Sequence, residues 1–227
     1  MYRIITALIA SIALGTTVAA AEVVTEKVSY RDGEVELEGY LAYDDSLTGK
    51  RPGVLVVHEW WGLNDYARRR ARMLAELGYV AFACDMYGRG KVTDDARQAG
   101  RWSGALYGDP GKLRGRVNRG LDVLRQHDRV DADRLGAIGY CFGGTTVLQL
   151  AYSGAAVDAV VSFHGNPRAA SSADVPRIEA ELLVCNGAAD SHVKPEAIAA
   201  FRKALDGSDV KWTWIDYAHA VHSFTNP

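Results

Sequence analysis

Leu135-Gly-Ala-Ile-Gly-Tyr-Cys141-Phe-Gly-Gly-Thr-Thr146 is the stretch that decides how the chain is read. A short apolar run breaks into Gly-x-Cys-x-Gly, and a helix-compatible segment follows at once. A strand that turns sharply into a helix needs small residues on both sides of the turn, because the two backbones pass close together. Gly139 and Gly143 meet that need. The residue between them, Cys141, is then held out at the top of a sheet. The pattern is a nucleophile elbow with a thiol where a hydroxyl is more usual. Cys141 is therefore the candidate nucleophile.

The rest of the chain supplies the sheet that such an elbow requires. Residues 23–28 and 35–42 read as two strands joined near Arg31-Asp-Gly33, a hairpin-type turn. Pro52-Gly53 opens a continuous apolar run, residues 54–57, of the kind buried on both faces in a parallel sheet. Asn64 or Asp65 can cap a helix whose apolar face is Ala67, Ala71, Leu74 and Leu77, stopped by Gly78. Residues 79–84 form the next strand, and residues 93–102 read as helical. Asp109-Pro110 opens a further helix, with a buried face of Leu113, Val117, Leu121 and Leu124. Strands are predicted at 157–163, 181–185 and 210–215, with a helix between Pro195 and Leu205. Strands alternating with helices give an α/β fold with a mostly parallel central sheet and helices on both faces. Catalytic groups then belong on loops past the carboxyl ends of the strands.

A thiol is mostly protonated at neutral pH, so a nucleophilic cysteine needs a base and a carboxylate to orient that base. On elbow-bearing folds the acid and the histidine follow the nucleophile in chain order. Asp190 on its own reads better as a turn cap, but its place in a polar loop directly after the penultimate strand favours it as the acid. His222 follows in the loop after the last strand. His219 competes with it for the role of base, and His222 is favoured for its longer reach past the strand end. His219 and His222 lack the carboxylate or cysteine set that a metal site would need, so no metal is expected.

Composition narrows the function class. The 26 Lys and Arg against 28 Asp and Glu leave a formal charge of −2 with both signs interspersed, so no nucleic-acid partner is expected. Three cysteines cannot all pair within one chain, and Cys84 and Cys185 fall in apolar runs as buried, inert thiols. Residues 1–21 read as a secretory signal peptide, with Arg3 before an apolar run and small residues before Glu22. The remaining residues, 22–227, are expected to form one domain, exported to the periplasm or secreted. No membrane association is expected after cleavage.

With these residues in place, the chain resembles the dienelactone hydrolase family, an α/β-hydrolase branch that uses Cys-Asp-His. The likeness runs from about residue 27 to the end. Gly139-Tyr-Cys-Phe-Gly-Gly144 resembles the family's elbow, and Asp190 and His222-Ser223-Phe224 its acid and base loops. His58-Glu-Trp-Trp-Gly-Leu-Asn64 resembles the loop after the third strand, and Asp85-Met-Tyr-Gly-Arg89 the segment with a substrate-binding arginine. The resemblance implies an α/β-hydrolase fold with no large cap domain, no cofactor, and a small ester or lactone as substrate. It also implies that Glu59 contacts the resting thiol, and that the backbone N–H groups of Phe142 and Trp60 form an oxyanion hole. Arg89 is implied as the anchor for a substrate carboxylate, with Ser223 and Tyr87 as further substrate-binding residues. His58 and His164 read as structural hydrogen-bonders. Trp60, Trp61, Tyr87 and Tyr140 are candidates for either pocket walls or core.

Two departures bear on substrate and stability. The family's second substrate-binding arginine, four residues after the histidine, is Asn226 here. The sequence stops at Pro227, where the family continues into another helix, so either it is a fragment truncated before that helix or its terminus is unusual. Without that helix, an exposed apolar patch near the end of the sheet and a mobile His222 loop are expected. The expectation is thus a monomeric, exported cysteine hydrolase of esters or lactones. The alternatives are a broad-specificity carboxylesterase of the same fold and a binding or sensor protein without turnover.

Overall fold

The alternation read from the sequence becomes an eight-stranded sheet in a computed structural model that describes residues 22–226. The elements are β1 (Val23–Asp32), β2 (Val35–Asp44), β3 (Arg51–Val57), α1 (Asp65–Glu76), β4 (Val80–Cys84), α2 (Ala96–Tyr107) and α3 (Pro110–Arg125). They continue with β5 (Val130–Tyr140), α4 (Phe142–Tyr152), β6 (Ala159–Phe163), β7 (Glu181–Gly187), α5 (Pro195–Leu205) and β8 (Trp212–Tyr217). The strand order is β1-β2-β4-β3-β5-β6-β7-β8. β1 and β2 run antiparallel to their neighbours, and β4 through β8 are parallel. This is the α/β-hydrolase fold. The expected leader falls on residues 1–21, outside the described residues. Among the described residues, no helix is long and apolar enough to cross a membrane.

The alternation of side chains divides the core in two. On one face, Ala67, Ala71 and Ala75 of α1 pack against Ala42, Val56, Ala81 and Ala83. On the other, α3, α4 and α5 cover Leu55, Val57, Phe82, Val160, Leu182 and Val184. Small residues on the first face let α1 approach closely, and Leu77 is not part of that contact. It lies one residue past the helix and is 74% exposed. The helix expected at 93–102 starts instead at Ala96, where the Asp95 carboxylate accepts from the Arg97 N–H, and it continues to Tyr107. Gly100 and Gly104 do not stop it, because its buried positions Ala99, Ser103 and Leu106 keep helical spacing.

Beyond α1, no helix among the described residues covers that face of β5 to β8. Ile215 and Tyr217 on β8 are exposed there.

An ion pair ties the second face together. Arg114 on α3 meets the Asp174 carboxylate through two bonds, 2.8 and 2.9 Å, and its Nε donates to Gln149 on α4. Ser171 and Arg177 also donate to Asp174. The Arg114 guanidinium, with help from these donors, holds the Asp174 carboxyl well below the usual carboxylate range. A depressed carboxylate stabilises the fold above the unfolded-chain value near ~4, and that contribution is lost as pH falls through the folded value. Asp174→Asn is expected to cost about 2 kcal/mol at pH 7. The variant should also show a shallower loss of Tm between pH 5 and 2, measured by thermal denaturation. A parallel acid limb in variant and parent would contradict this.

Candidate active site

Cys141 sits where β5 ends and α4 begins, with φ 53° and ψ −112°. A side chain rarely adopts this left-handed geometry, and both neighbours must give it room. A Cβ on Gly139 would lie 2.1 Å from the Gly143 carbonyl oxygen, and one on Gly143 would lie 2.2 Å from that of Val57. Only glycine fits at either place. The Cys141 N–H donates to the Phe163 carbonyl and to His164 Nδ1, both at 3.0 Å. These bonds lock the turn against β6.

Three loops bring their groups to this thiol. His222 Nε2 lies 3.1 Å from Cys141 Sγ, and His222 Nδ1 lies 2.8 Å from Asp190 Oδ2. The other carboxylate oxygen, Oδ1, accepts from the His192 N–H at 2.8 Å. Asp190 is therefore held from both sides and fixes the tautomer of His222 with Nδ1–H toward the acid. Nε2 is left as the acceptor facing the thiol. His219, by contrast, is exposed on its own left-handed turn.

The strand β3 delivers the opposite wall. Glu59 is buried and accepts from Ser223 Oγ at 3.3 Å. Burial raises its carboxyl above the usual range. The backbone N–H groups of Phe142 and Trp60 lie on the side of Cys141 Sγ where they favour its anion. The orientation of the second donor has a cause in His58. Its ring is fully buried, Nε2 accepts from the Met86 N–H at 3.2 Å, and Nδ1–H donates to the Glu59 carbonyl. The carbonyl and N–H of a trans peptide point in opposite directions, so fixing the carbonyl at His58 aims the Trp60 N–H at the thiol.

Burial, followed by the nearby Glu59 carboxylate, pushes the Cys141 thiol up to about 12. The resting group is thus a protonated thiol that can donate to His222 Nε2. Cys84 and Cys185 are buried and also raised, in each case chiefly by desolvation.

The end of the described chain is fastened to this site. Burial and the adjacent His222 push His164 down to about 4, so the ring is neutral near pH 7. Because Nδ1 accepts from Cys141, its Nε2–H donates to Thr225 Oγ1 at 2.8 Å. Tyr66 OH also bonds Thr225 Oγ1 at 2.8 Å, and Arg70 donates to the Thr225 carbonyl. These contacts oppose the looseness expected of the His222 loop. One histidine therefore links the nucleophile's backbone to the loop that carries its base.

A cleft of about 360 Å³ opens onto Cys141, His222 and Ser223. Its walls include Trp60, Trp61, Tyr107, Asn166, His192 and Val193. Tyr87 is not among them. It lies behind Phe142, with ring centroids 5.4 Å apart, and it also packs on His58 and Trp102. Tyr140 likewise packs in the core, stacked on Phe163. Arg89 is not brought to the cleft either. Its Nε reaches Glu38 Oε2 at 3.3 Å and its backbone N–H donates to the Glu36 carbonyl. Both partners lie on β2, so the arginine is drawn to the sheet edge, where it lines a separate groove with Tyr30 and Arg31. Asn226 is exposed.

Tyr107, Asn166, His192 and Val193 were not singled out from the sequence. Asn166, His192 and Val193 follow strands β6 and β7, so the rule that loops past carboxyl ends build the site could have found them. Tyr107 had no such signal, because its place depends on how far α2 extends. No group of three or more potential metal ligands occurs among the described residues.

The strand order and the sharp turn at Cys141 place the chain among α/β-hydrolases. More narrowly, it belongs to the dienelactone hydrolase family of hydrolases, whose model matches residues 37–227. It is similar to the solved structure named m3DLH, with 44% identity and a TM-score of 0.88 over 90% of this chain and 85% of that one. A dienelactone hydrolase-like promiscuous phosphotriesterase from metagenomic libraries shows 41% identity and a TM-score of 0.87, with the same coverage. Protein usf of Aquifex pyrophilus is 28% identical over 210 residues, which span 88% of this chain and 87% of that protein.

Two outcomes test the site's electrostatics and its fastening. Alkylation by iodoacetamide should modify Cys141 alone, and its rate should still be rising about tenfold per pH unit at pH 9. Glu59→Gln should speed it at any fixed pH. A plateau below pH 8 would contradict the protonated resting thiol. Thr225→Val keeps the side-chain shape but removes the bonds to His164 and Tyr66. It should lower kcat about tenfold with little change in KM, since a small misplacement of the base falls on the chemical step. An unchanged kcat would show that the loop is positioned by other contacts.

Proposed function

We propose that the chain hydrolyses ester or lactone bonds by covalent catalysis at Cys141. The observation that carries this reading is the unbroken chain of contacts from Sγ to His222 Nε2 at 3.1 Å and from His222 Nδ1 to Asp190 at 2.8 Å. Family membership supports the bond class. The position of the Phe142 and Trp60 N–H groups supports the polarity of the transition state.

In this reading, substrate enters with its carbonyl oxygen toward the two N–H groups. His222 Nε2 takes the Sγ proton as sulfur bonds to the carbonyl carbon, and the oxygen gains the negative charge. Two preorganised donors stabilise that oxyanion. Collapse reforms the carbonyl and breaks the bond to the leaving oxygen, which takes the proton from His222. A lactone ring opens at this step and its alcohol stays tethered. Water then gives a proton to His222 Nε2 and adds to the thioester. Loss of the sulfur, reprotonated by His222, releases the acid. Asp190, bonded to Nδ1, stabilises the imidazolium.

Glu59 has a separate part. A carboxylate beside a thiol disfavours the thiolate, so Cys141 is kept weakly nucleophilic until a bound substrate changes that environment. Such restraint suits a protein exported to an oxidising compartment, where the leader read at residues 1–21 would send it.

Cys141→Ala and His222→Ala should each lower kcat on a simple aryl ester by roughly 10³-fold or more, with secondary structure intact by circular dichroism. Wild-type turnover in Cys141→Ala would exclude covalent catalysis at this residue.

A further inference from the structure

The cleft above Cys141 has walls but no counter-ion. Among the described residues, none that lines it is a lysine or an arginine. Glu59 and Asp190, the carboxylates set around the thiol, both oppose its ionisation. Three arginines could in principle supply the opposite sign, and each is engaged outside the cleft, Arg70 on Tyr66 OH and the Thr225 carbonyl. Arg89 is paired with Glu38 at the sheet edge. Arg168 lies with its guanidinium over the outer Tyr107 ring, 4.4 Å from the centroid, and donates to the Tyr107 carbonyl. The residue four places after His222 is the exposed Asn226. Bringing a carboxylate into such a cleft would cost its hydration without returning a charge partner, and would set it against Glu59.

What the walls offer instead is flat apolar area. Trp60 and Trp61 are neighbours at 4.8 Å between ring centroids, and Tyr107 and Val193 add further apolar surface. Aromatic rings recognise another ring through offset and edge contacts with little loss of side-chain freedom. The polar groups that remain are His164, Asn166, His192 and Ser223, which are suited to single hydrogen bonds.

We propose that this site selects uncharged esters that carry an aromatic group, and that it discriminates against substrates with a free carboxylate. The inference rests on the reading of Cys141 as the nucleophile and adds the substrate class.

Two matched pairs test it on the full mature chain. In the first, 4-nitrophenyl butanoate is compared with 4-nitrophenyl hydrogen succinate, which share a leaving group and differ by one ionised carboxyl. The neutral ester is expected to have a kcat/KM about 100-fold higher. Arg89→Ala and Arg168→Ala should leave that ratio unchanged. In the second, 4-nitrophenyl phenylacetate is compared with 4-nitrophenyl acetate. The phenylacetyl ester is expected to be preferred about tenfold, and Trp61→Ala should remove most of that preference. Equal or better turnover of the hydrogen succinate overturns the charge discrimination, as does a selective loss on that substrate in either arginine variant. A phenylacetyl preference that is absent, or that survives Trp61→Ala, overturns the aromatic recognition. In each of these cases Cys141→Ala would still abolish turnover. If Cys141→Ala hydrolyses all four esters at the parent rate, it is the assignment of the nucleophile that fails.

Discussion

The structure depends on one strained residue. Cys141 is held at φ 53° between the end of β5 and the start of α4, and its N–H is spent on the Phe163 carbonyl and on His164. A lone residue in this conformation would relax, because the left-handed region is costly for any side chain with a Cβ. Here the surroundings over-determine it. β3 and α4 approach so closely that Gly143 has no space for a Cβ, and the same is true of Gly139 against the helix. The turn therefore fixes the direction of Sγ, and the direction of Sγ decides which loops can meet it.

From that point, position is passed outward by buried groups that use every available hydrogen-bonding atom. His58 holds the Glu59 carbonyl and so turns the Trp60 N–H toward the thiol. His164 joins the Cys141 N–H to Thr225, three residues beyond the base. Burial keeps both rings neutral, which lets each donate at one nitrogen and accept at the other. A neutral imidazole is well suited to this because it spans two backbone segments without bringing a charge into the core. Asp190 and Glu59 supply charge only where the chemistry calls for it. One steadies an imidazolium and the other restrains a thiol.

The parts of this arrangement that were legible in the sequence are those with local causes. Gly139 and Gly143 announce the turn because only a close approach of backbones requires both. The strand and helix periods give the sheet, since buried parallel strands and amphipathic helices leave different patterns. Chain order after the elbow named Asp190 and His222, the resemblance to the family added Glu59, and the fold brings all three into the site of Cys141. Long-range consequences were not legible. Leu77 fits the helical spacing but falls one residue past the helix, so it faces solvent. Arg89 occupies the position of a substrate anchor, yet its direction is set by Glu38, a partner on another strand whose proximity only the folded sheet reveals. Tyr107 reaches the cleft because α2 runs about one and a half turns past residue 102, where the helix is expected to end. Thr225 and Arg70 matter through a contact between residues 155 apart.

Covalent catalysis at Cys141 is tested most directly by trapping the acyl-enzyme. Acid quenching during turnover of 4-nitrophenyl phenylacetate, followed by peptide mass spectrometry, should find the phenylacetyl group on the peptide that contains Cys141. An adduct on another residue, or steady turnover with no adduct and no dependence on Cys141, would contradict the assignment.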